Sequence, residues 1–178
     1  MRCAECGHEM ERMEGTHRYK ESGLSNVVLM NIPIWKCPNC KESEIEIPCM
    51  DALHKVLAFM VLLQPTGLLV EEIRFLRKNL GYSQEELAEK LGVSRPTVAR
   101  WETNKPMKQD HDKALRRLYL DKKRDEIKAL PGVNRLLSLI VDGLPIQSKK
   151  IKRRIRKEDW MRLGNNDQTC LESEALPI

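Results

Sequence analysis

Apolar and polar positions change rhythm twice along this chain. Val27 to Trp35 (VVLMNIPIW) is mostly β-branched and apolar, which predicts a strand. Glu44-Ile45-Glu46-Ile47 alternates with period two and predicts a half-buried strand. The segment Glu9 to Lys20 is polar and predicts a more exposed strand or pair of strands, with Gly15 and Gly23 as turn positions. From Met50 to Gln64 the pattern becomes helical: Leu53, Val56, Leu57, Met60, Val61 and Leu63 recur mostly at three- and four-residue steps. Pro65-Thr66-Gly67 breaks the chain and marks a boundary. Four or five helices are expected from about Val70 to Leu120. Beyond them, residues 121–178 favour helix to about Leu144, then become strongly basic and end in a polar tail expected to be disordered. The fold class expected is α+β. A β-rich module with its connecting helix occupies 1–64, an all-α domain 65–120, and a helical then basic extension 121–178.

Cysteine usage sharpens the picture of the first segment. Four of the six cysteines fall in two pairs, Cys3-Ala4-Glu5-Cys6 and Cys37-Pro38-Asn39-Cys40; Cys49 and Cys170 are left over. The two-residue spacing lets both sulfurs of a pair turn onto one metal. Four thiolates around one Zn2+ give a closed tetrahedral site, structural and not catalytic. A β-hairpin between the pairs accounts for the long interval from Cys6 to Cys37. With aromatics at only 4%, so small a unit lacks the large rings of a self-sufficient core, and a metal is the expected staple. A redox dithiol, iron or a disulfide are the competing uses of such pairs. His8 could stand in for one cysteine, although a polar surface residue is its plainer role.

Length, charge and hydropathy restrict the class of protein. A chain of 178 residues accommodates one ordinary domain or two small ones. Its longest apolar stretch, Val56 to Leu63, is far too short to span a bilayer. The first ten residues have no apolar signal region, so no membrane association and a cytoplasmic location are expected. Net charge is +5, distributed as −2 over residues 1–70, +3 over 71–120 and +4 over 121–178. An acidic front and a basic back suggest two partners of opposite kind. No paired carboxylates or Cys/His set at readable spacing point to an enzyme.

The most informative stretch runs from Gly81 to Glu102 (GYSQEELAEKLGVSRPTVARWE). Ser83 with Glu86 forms a capping box that starts a helix, whose buried face is Leu87 and Leu91. Ala88 is small where a second helix must cross closely. Gly92 permits a tight turn with positive φ, and Val93 plugs the gap. Ser94 caps the next helix and Pro96 fits within its first turn. Val98 and Trp101 face inward. Arg95, Pro96, Thr97 and Arg100 project outward, where a recognition helix meets base edges in the major groove. A helical core unit sharing this spacing by chance is the alternative.

These residues resemble the helix-turn-helix of the lambdoid phage repressor (XRE) superfamily, over roughly Val70 to Leu120. The resemblance implies a phosphate contact for Gln84, base-reading positions for Arg95, Pro96 and Arg100, and a place beside the DNA backbone for Thr103 and Lys105. An arginine paired bidentately with guanine contributes about 1–3 kcal/mol of discrimination. A four-cysteine module followed by this domain resembles, over about residues 1–120, the MqsA family of antitoxins (YgiT-type zinc-finger proteins). That resemblance implies a homodimer on a palindromic operator, autorepression of a toxin–antitoxin operon, and a ribonuclease toxin held at or near the zinc module. Pro96 departs from the family's asparagine, and the chain continues well beyond the family's usual end. A standalone XRE-type transcription regulator without a toxin partner is the alternative function. In the extension, residues 149–157 hold seven basic side chains in nine. They suit either phosphate neutralisation or the exposed side of a helix whose buried edge is Ile151, Ile155 and Trp160. Leu136 to Leu144 is expected to be core or a dimer contact.

Overall fold

The chain begins with one short turn and a strand. In the computed structural model, which describes residues 1–124 and 153–164, the order is β1 (Glu11–His17), β2 (Val27–Lys36), β3 (Ser43–Ile45), α1 (Met50–Leu63), α2 (Val70–Asn79), α3 (Gln84–Lys90), α4 (Arg95–Trp101), α5 (Gln109–Lys122), β4 (Arg153–Arg156) and α6 (Lys157–Gly164). The fold is α+β, strands with the cysteines first and helices after. Contacts divide the chain into two units. The first comprises residues 1–20, 26–53 and, among the described residues, 153–164; the second comprises 21–25 and 54–124. The apolar segment Leu136 to Leu144, Cys170 and the polar tail lie outside the described residues.

In the first unit β2 is the central strand. It pairs antiparallel with β1 along its length, from Glu11 opposite Lys36 to His17 opposite Leu29. Register shifts between Gly15 and Thr16, so Asn31 is the extra residue of a bulge and takes a φ of 58°. Gly15 therefore belongs to the strand and not to a turn. A Cβ there would sit 2.4 Å from Cδ1 of Ile34, so the strands meet closely because the side chain is missing. Gly23, by contrast, has a φ of 80° and does form the turn. β3 pairs with the C-terminal end of β2, but all three of its residues are exposed, so the half-buried strand expected at Glu44 to Ile47 is corrected to a short exposed one.

The remaining edge of β2 is covered from far along the chain. β4 pairs with it in parallel, Val27 with Arg153 through Met30 with Arg156. Val27, Leu29, Ile155 and Trp160 are buried. Trp160 Nε1 donates to the Pro48 carbonyl at 2.8 Å, and the buried Arg153 guanidinium donates to Asn26 Oδ1 at 3.0 Å. The basic run is thus corrected at its described end: Ile155 lies on a strand, not a helix edge, with Arg153 and Ile155 facing inward and Arg154 and Arg156 outward. Trp160 is buried on a helix, as the pattern suggested.

The second unit is helical. Ile73, Leu76, Leu87, Val98, Trp101, Leu115 and Tyr119 are buried. Four helices span Val70 to Lys122, within the range expected. Arg116, also buried, donates to the carbonyls of Val61, Leu62, Gln64 and Thr66, and its Nε meets Asp112 Oδ1 at 2.6 Å. The other Asp112 oxygen accepts the Leu68 amide at 2.6 Å. One guanidinium thereby satisfies carbonyls at the end of α1 that have no partner within the helix.

Candidate metal centre and nucleic-acid interface

Two turns of the same construction carry the cysteines. In the first, the Cys3 amide donates to the His8 carbonyl at 2.9 Å and the Gly7 amide to the Cys3 carbonyl at 2.9 Å. In the second, the Cys37 amide donates to the Glu42 carbonyl at 2.8 Å and the Lys41 amide to the Cys37 carbonyl at 3.2 Å. Gly7 and Lys41 hold equivalent places, with φ of 72° and 67°. In each turn the second cysteine receives the amide two residues on, Cys6 from His8 and Cys40 from Glu42. Sequence reasoning named the cysteines but not the left-handed positions at Gly7 and Lys41; the glycine directly after Cys6 was the available signal.

The turns bring all four sulfurs within 4.8 Å of one another. Cys3 and Cys40 are 3.4 Å apart, Cys6 and Cys37 3.4 Å, and Cys6 and Cys40 3.5 Å. These separations far exceed a disulfide bond of about 2 Å. They approach the roughly 3.8 Å between sulfurs that a tetrahedron with metal–sulfur bonds of about 2.3 Å requires. Neither pair opens a helix, the setting a thioredoxin-like dithiol needs. Cys3 and Cys37 are buried beside Met10, with Trp35 packed against them. The Cys6 thiol is pulled down to about 5, chiefly by the His8 amide and then by Asn39 and Cys37. At Cys40 the Glu42 amide also lowers the thiol, but hydrogen bonds to Cys3 and Cys6 outweigh it and push Cys40 up to about 12. The set can hold a metal ion, and loading it displaces protons. Exposed His8 turns its Nδ1 to the Cys6 carbonyl at 3.2 Å and lies outside the cluster.

The second candidate site is built on α3 and α4. Ser83 Oγ accepts the Glu86 amide at 3.1 Å while Glu86 Oε2 accepts the Ser83 amide at 2.7 Å, completing the capping box. Those bonds to Ser83 hold the Glu86 carboxyl below its usual range. Leu87 and Ala88 are buried and Leu91 half-buried. Gly92 takes a φ of 64°, and the Val93 amide closes the turn onto the Ala88 carbonyl at 2.9 Å. Ser94 occupies the cap of α4, but its hydroxyl lies 2.9 Å from that of Thr97 and makes no capping bond, a correction to the expected role.

On the outward side of α4, Arg95, Pro96 and Arg100 are exposed and Thr97 is half-buried. Thr103 and Lys105 follow in the next turn, both exposed, with the Thr103 hydroxyl donating to the Ala99 carbonyl at 2.7 Å. Gln84 sits at the start of α3, its Nε2 donating to Glu102 Oε2 at 2.9 Å. One of the two amide hydrogens is so engaged.

Glu102 is the residue that fixes this surface. It is buried at the end of α4 and accepts two bonds from Arg77, from Nε at 2.6 Å and from Nη2 at 3.0 Å. Burial acts to raise its carboxyl, yet hydrogen bonds from Arg77 and Gln84, with the charges of Arg77 and Arg74, bring it below the usual value. Arg74 also donates to the Glu102 backbone carbonyl. The recognition-type helix is thus bolted to α2 through its C-terminal residue.

Residues 73–109 match the family model described as Helix-turn-helix. The chain therefore carries an XRE-type helix-turn-helix, the DNA-binding element of a family of regulators. No curated protein and no solved structure matches the chain. Among the described residues no helix is long and apolar enough to cross a membrane.

Proposed function

We propose that this protein is a zinc-stabilised operator-binding repressor that serves as the antitoxin of a toxin–antitoxin pair. The observation that carries the reading is the joining of a four-thiol cluster to an XRE-type helix-turn-helix in one chain. Cys3, Cys6, Cys37 and Cys40 hold one structural Zn2+; four sulfur donors at these separations suit that ion, which then contributes about 10 kcal/mol to ordering the first unit. In the second unit, Arg95, Pro96, Thr97 and Arg100 read base edges. Gln84, Ser94, Thr103 and Lys105 touch phosphates. The protein acts as a homodimer on a two-fold symmetric operator, represses its own operon, and holds a ribonuclease toxin at or near the four-cysteine unit.

Two measurements test this. Replacing Arg100 with alanine is expected to weaken operator binding about tenfold or more in a shift assay at fixed salt; unchanged affinity removes the recognition role. Co-purification with the product of the adjacent gene tests the antitoxin role. A neighbour that is harmless alone and never co-purifies leaves a standalone regulator. That second reading draws support from β4, which gives the four-cysteine unit a structural tie of its own within the chain.

A further inference from the structure

In the first unit's sheet β1 is an outer strand. It pairs with β2 on one side, and among the described residues no strand pairs with its other side. The bridge of Arg2 to Glu9 lies just ahead of it. An unpaired edge presents amides and carbonyls that template another strand, and proteins blunt such edges with proline, repelling charge or a covering segment. From Glu11 to Gly15 (ERMEG) there is no proline, and the charges on either side of Met13 are opposite in sign. Met13 is 43% exposed and ends an apolar row across the sheet: it lies opposite Ile34, and Ile34 opposite Ile45, which is 38% exposed. By alternation Arg12 and Glu14 share the other face, and both are exposed. Arg12 has no ion-pair partner among the described residues. Glu14 has Lys157 Nζ at 3.9 Å, a long and partly solvated pair that holds it weakly.

This edge complements itself in one register. Two copies of an antiparallel strand keep their faces continuous only when the two-fold axis passes through a residue, because side chains alternate with period two. Centred on Arg12 or on Glu14, the pairing sets a charge against its like, which is destabilising. Centred on Met13, it sets Met13 against its own copy and Arg12 against Glu14 of the partner subunit. Glu11 then meets the small Gly15 of the partner subunit, and the row of Ile45, Ile34 and Met13 continues into a second, identical row. We propose that the edge of β1 from Glu11 to Gly15 binds the same edge of a second copy of this chain, antiparallel about Met13. So few residues a side fall well below the roughly 20–30 of a stable interface. The contact is therefore weak by itself and strengthens where two copies are already neighbours. It concerns the first unit alone and stands whether or not the second unit binds an operator.

The test is amide hydrogen exchange of the full-length, metal-loaded protein, read over Glu11–His17 and corrected for local sequence. Wild type, Arg12→Glu, Glu14→Arg and a 1:1 mixture of the two variants are compared at about 1 mM protein, where a contact with a dissociation constant of that size is about half formed. Both side chains are exposed, so the reversals leave the packing of the strand intact. Either reversal alone opposes like charges and is expected to speed exchange about twofold relative to wild type. In the mixture, unlike copies again meet with opposite charges, and exchange is expected to slow towards the wild-type rate. Equal protection in all four samples overturns the surface. Protection that both reversals lose and the mixture fails to restore overturns it as well, because the edge is then not covered by its own copy. Self-association in sedimentation, with equal protection in all four samples, overturns this edge and leaves the homodimer reading standing on another surface.

Discussion

At Lys41 the backbone takes a left-handed φ of 67°, where its counterpart in the other cysteine turn is Gly7 at 72°. A side chain in that region costs about 1–2 kcal/mol, while a glycine loses about 0.5–1 kcal/mol in the flexibility it brings to the unfolded chain. Lys41→Gly is therefore expected to be neutral or to stabilise the first unit by up to about 1 kcal/mol. Gly7→Val is expected to destabilise it by about 1–2 kcal/mol. Competition with a chelator, followed by metal release, ranks the variants, and equal release from both would show that the turns do not share their strain. Glu102 makes the opposite kind of prediction. Its folded carboxyl titrates below the ordinary value of about 4.3. The stability it contributes is then full above that value and is lost as pH falls through the depressed folded value. Glu102→Ala leaves Arg77 without its partner and is expected to cost about 3 kcal/mol, read as a lower urea midpoint at neutral pH. The variant's stability should also fall less steeply than the wild type's in acid.

Among the elements, those set by local chemistry were legible in advance. The capping box at Ser83, the turn at Gly92 and the inward pair Val98 and Trp101 all depend on neighbours within a few residues, and each occurs as the sequence indicated. So do the cysteine turns. What could not be read depends on partners far along the chain. Arg153-Arg154-Ile155-Arg156 is a basic run by composition, and only β2, more than 120 residues earlier, makes it a strand. Glu102 and Arg116 carried no signal of their own in the sequence; they are buried because Arg77, Asp112 and several backbone carbonyls converge on them. Gly15 signalled a turn, whereas its missing side chain serves a close strand contact. The packing of α6 gives a test at this scale. Trp160→Ala removes a fully buried ring and its bond to Pro48, at an expected cost of about 3–5 kcal/mol. The loss should appear in the metal-loaded first unit's thermal transition, and a loss under about 1 kcal/mol would mean that α6 does not hold that unit together.

For the molecule as a whole, the two units rest on different forces. The first joins short strands and a thiol cluster with few large rings; the second has a continuous apolar centre with buried ion pairs. Removing the metal with a strong chelator is therefore expected to melt the first unit and leave the helical far-ultraviolet signal of the second. Loss of both together would show that they fold as one. The parallel pairing of β4 with β2 carries a further consequence, for synthesis on the ribosome. Residues 54–124 lie in one continuous stretch and can close as soon as they emerge. The N-terminal end of β2 waits for Arg153, and at roughly 5–20 residues per second that delay lasts on the order of ten seconds. During this interval the edge of β2 from Val27 to Met30 is translated but unpaired, so the nascent protein is most open to pairing with a foreign strand before β4 arrives.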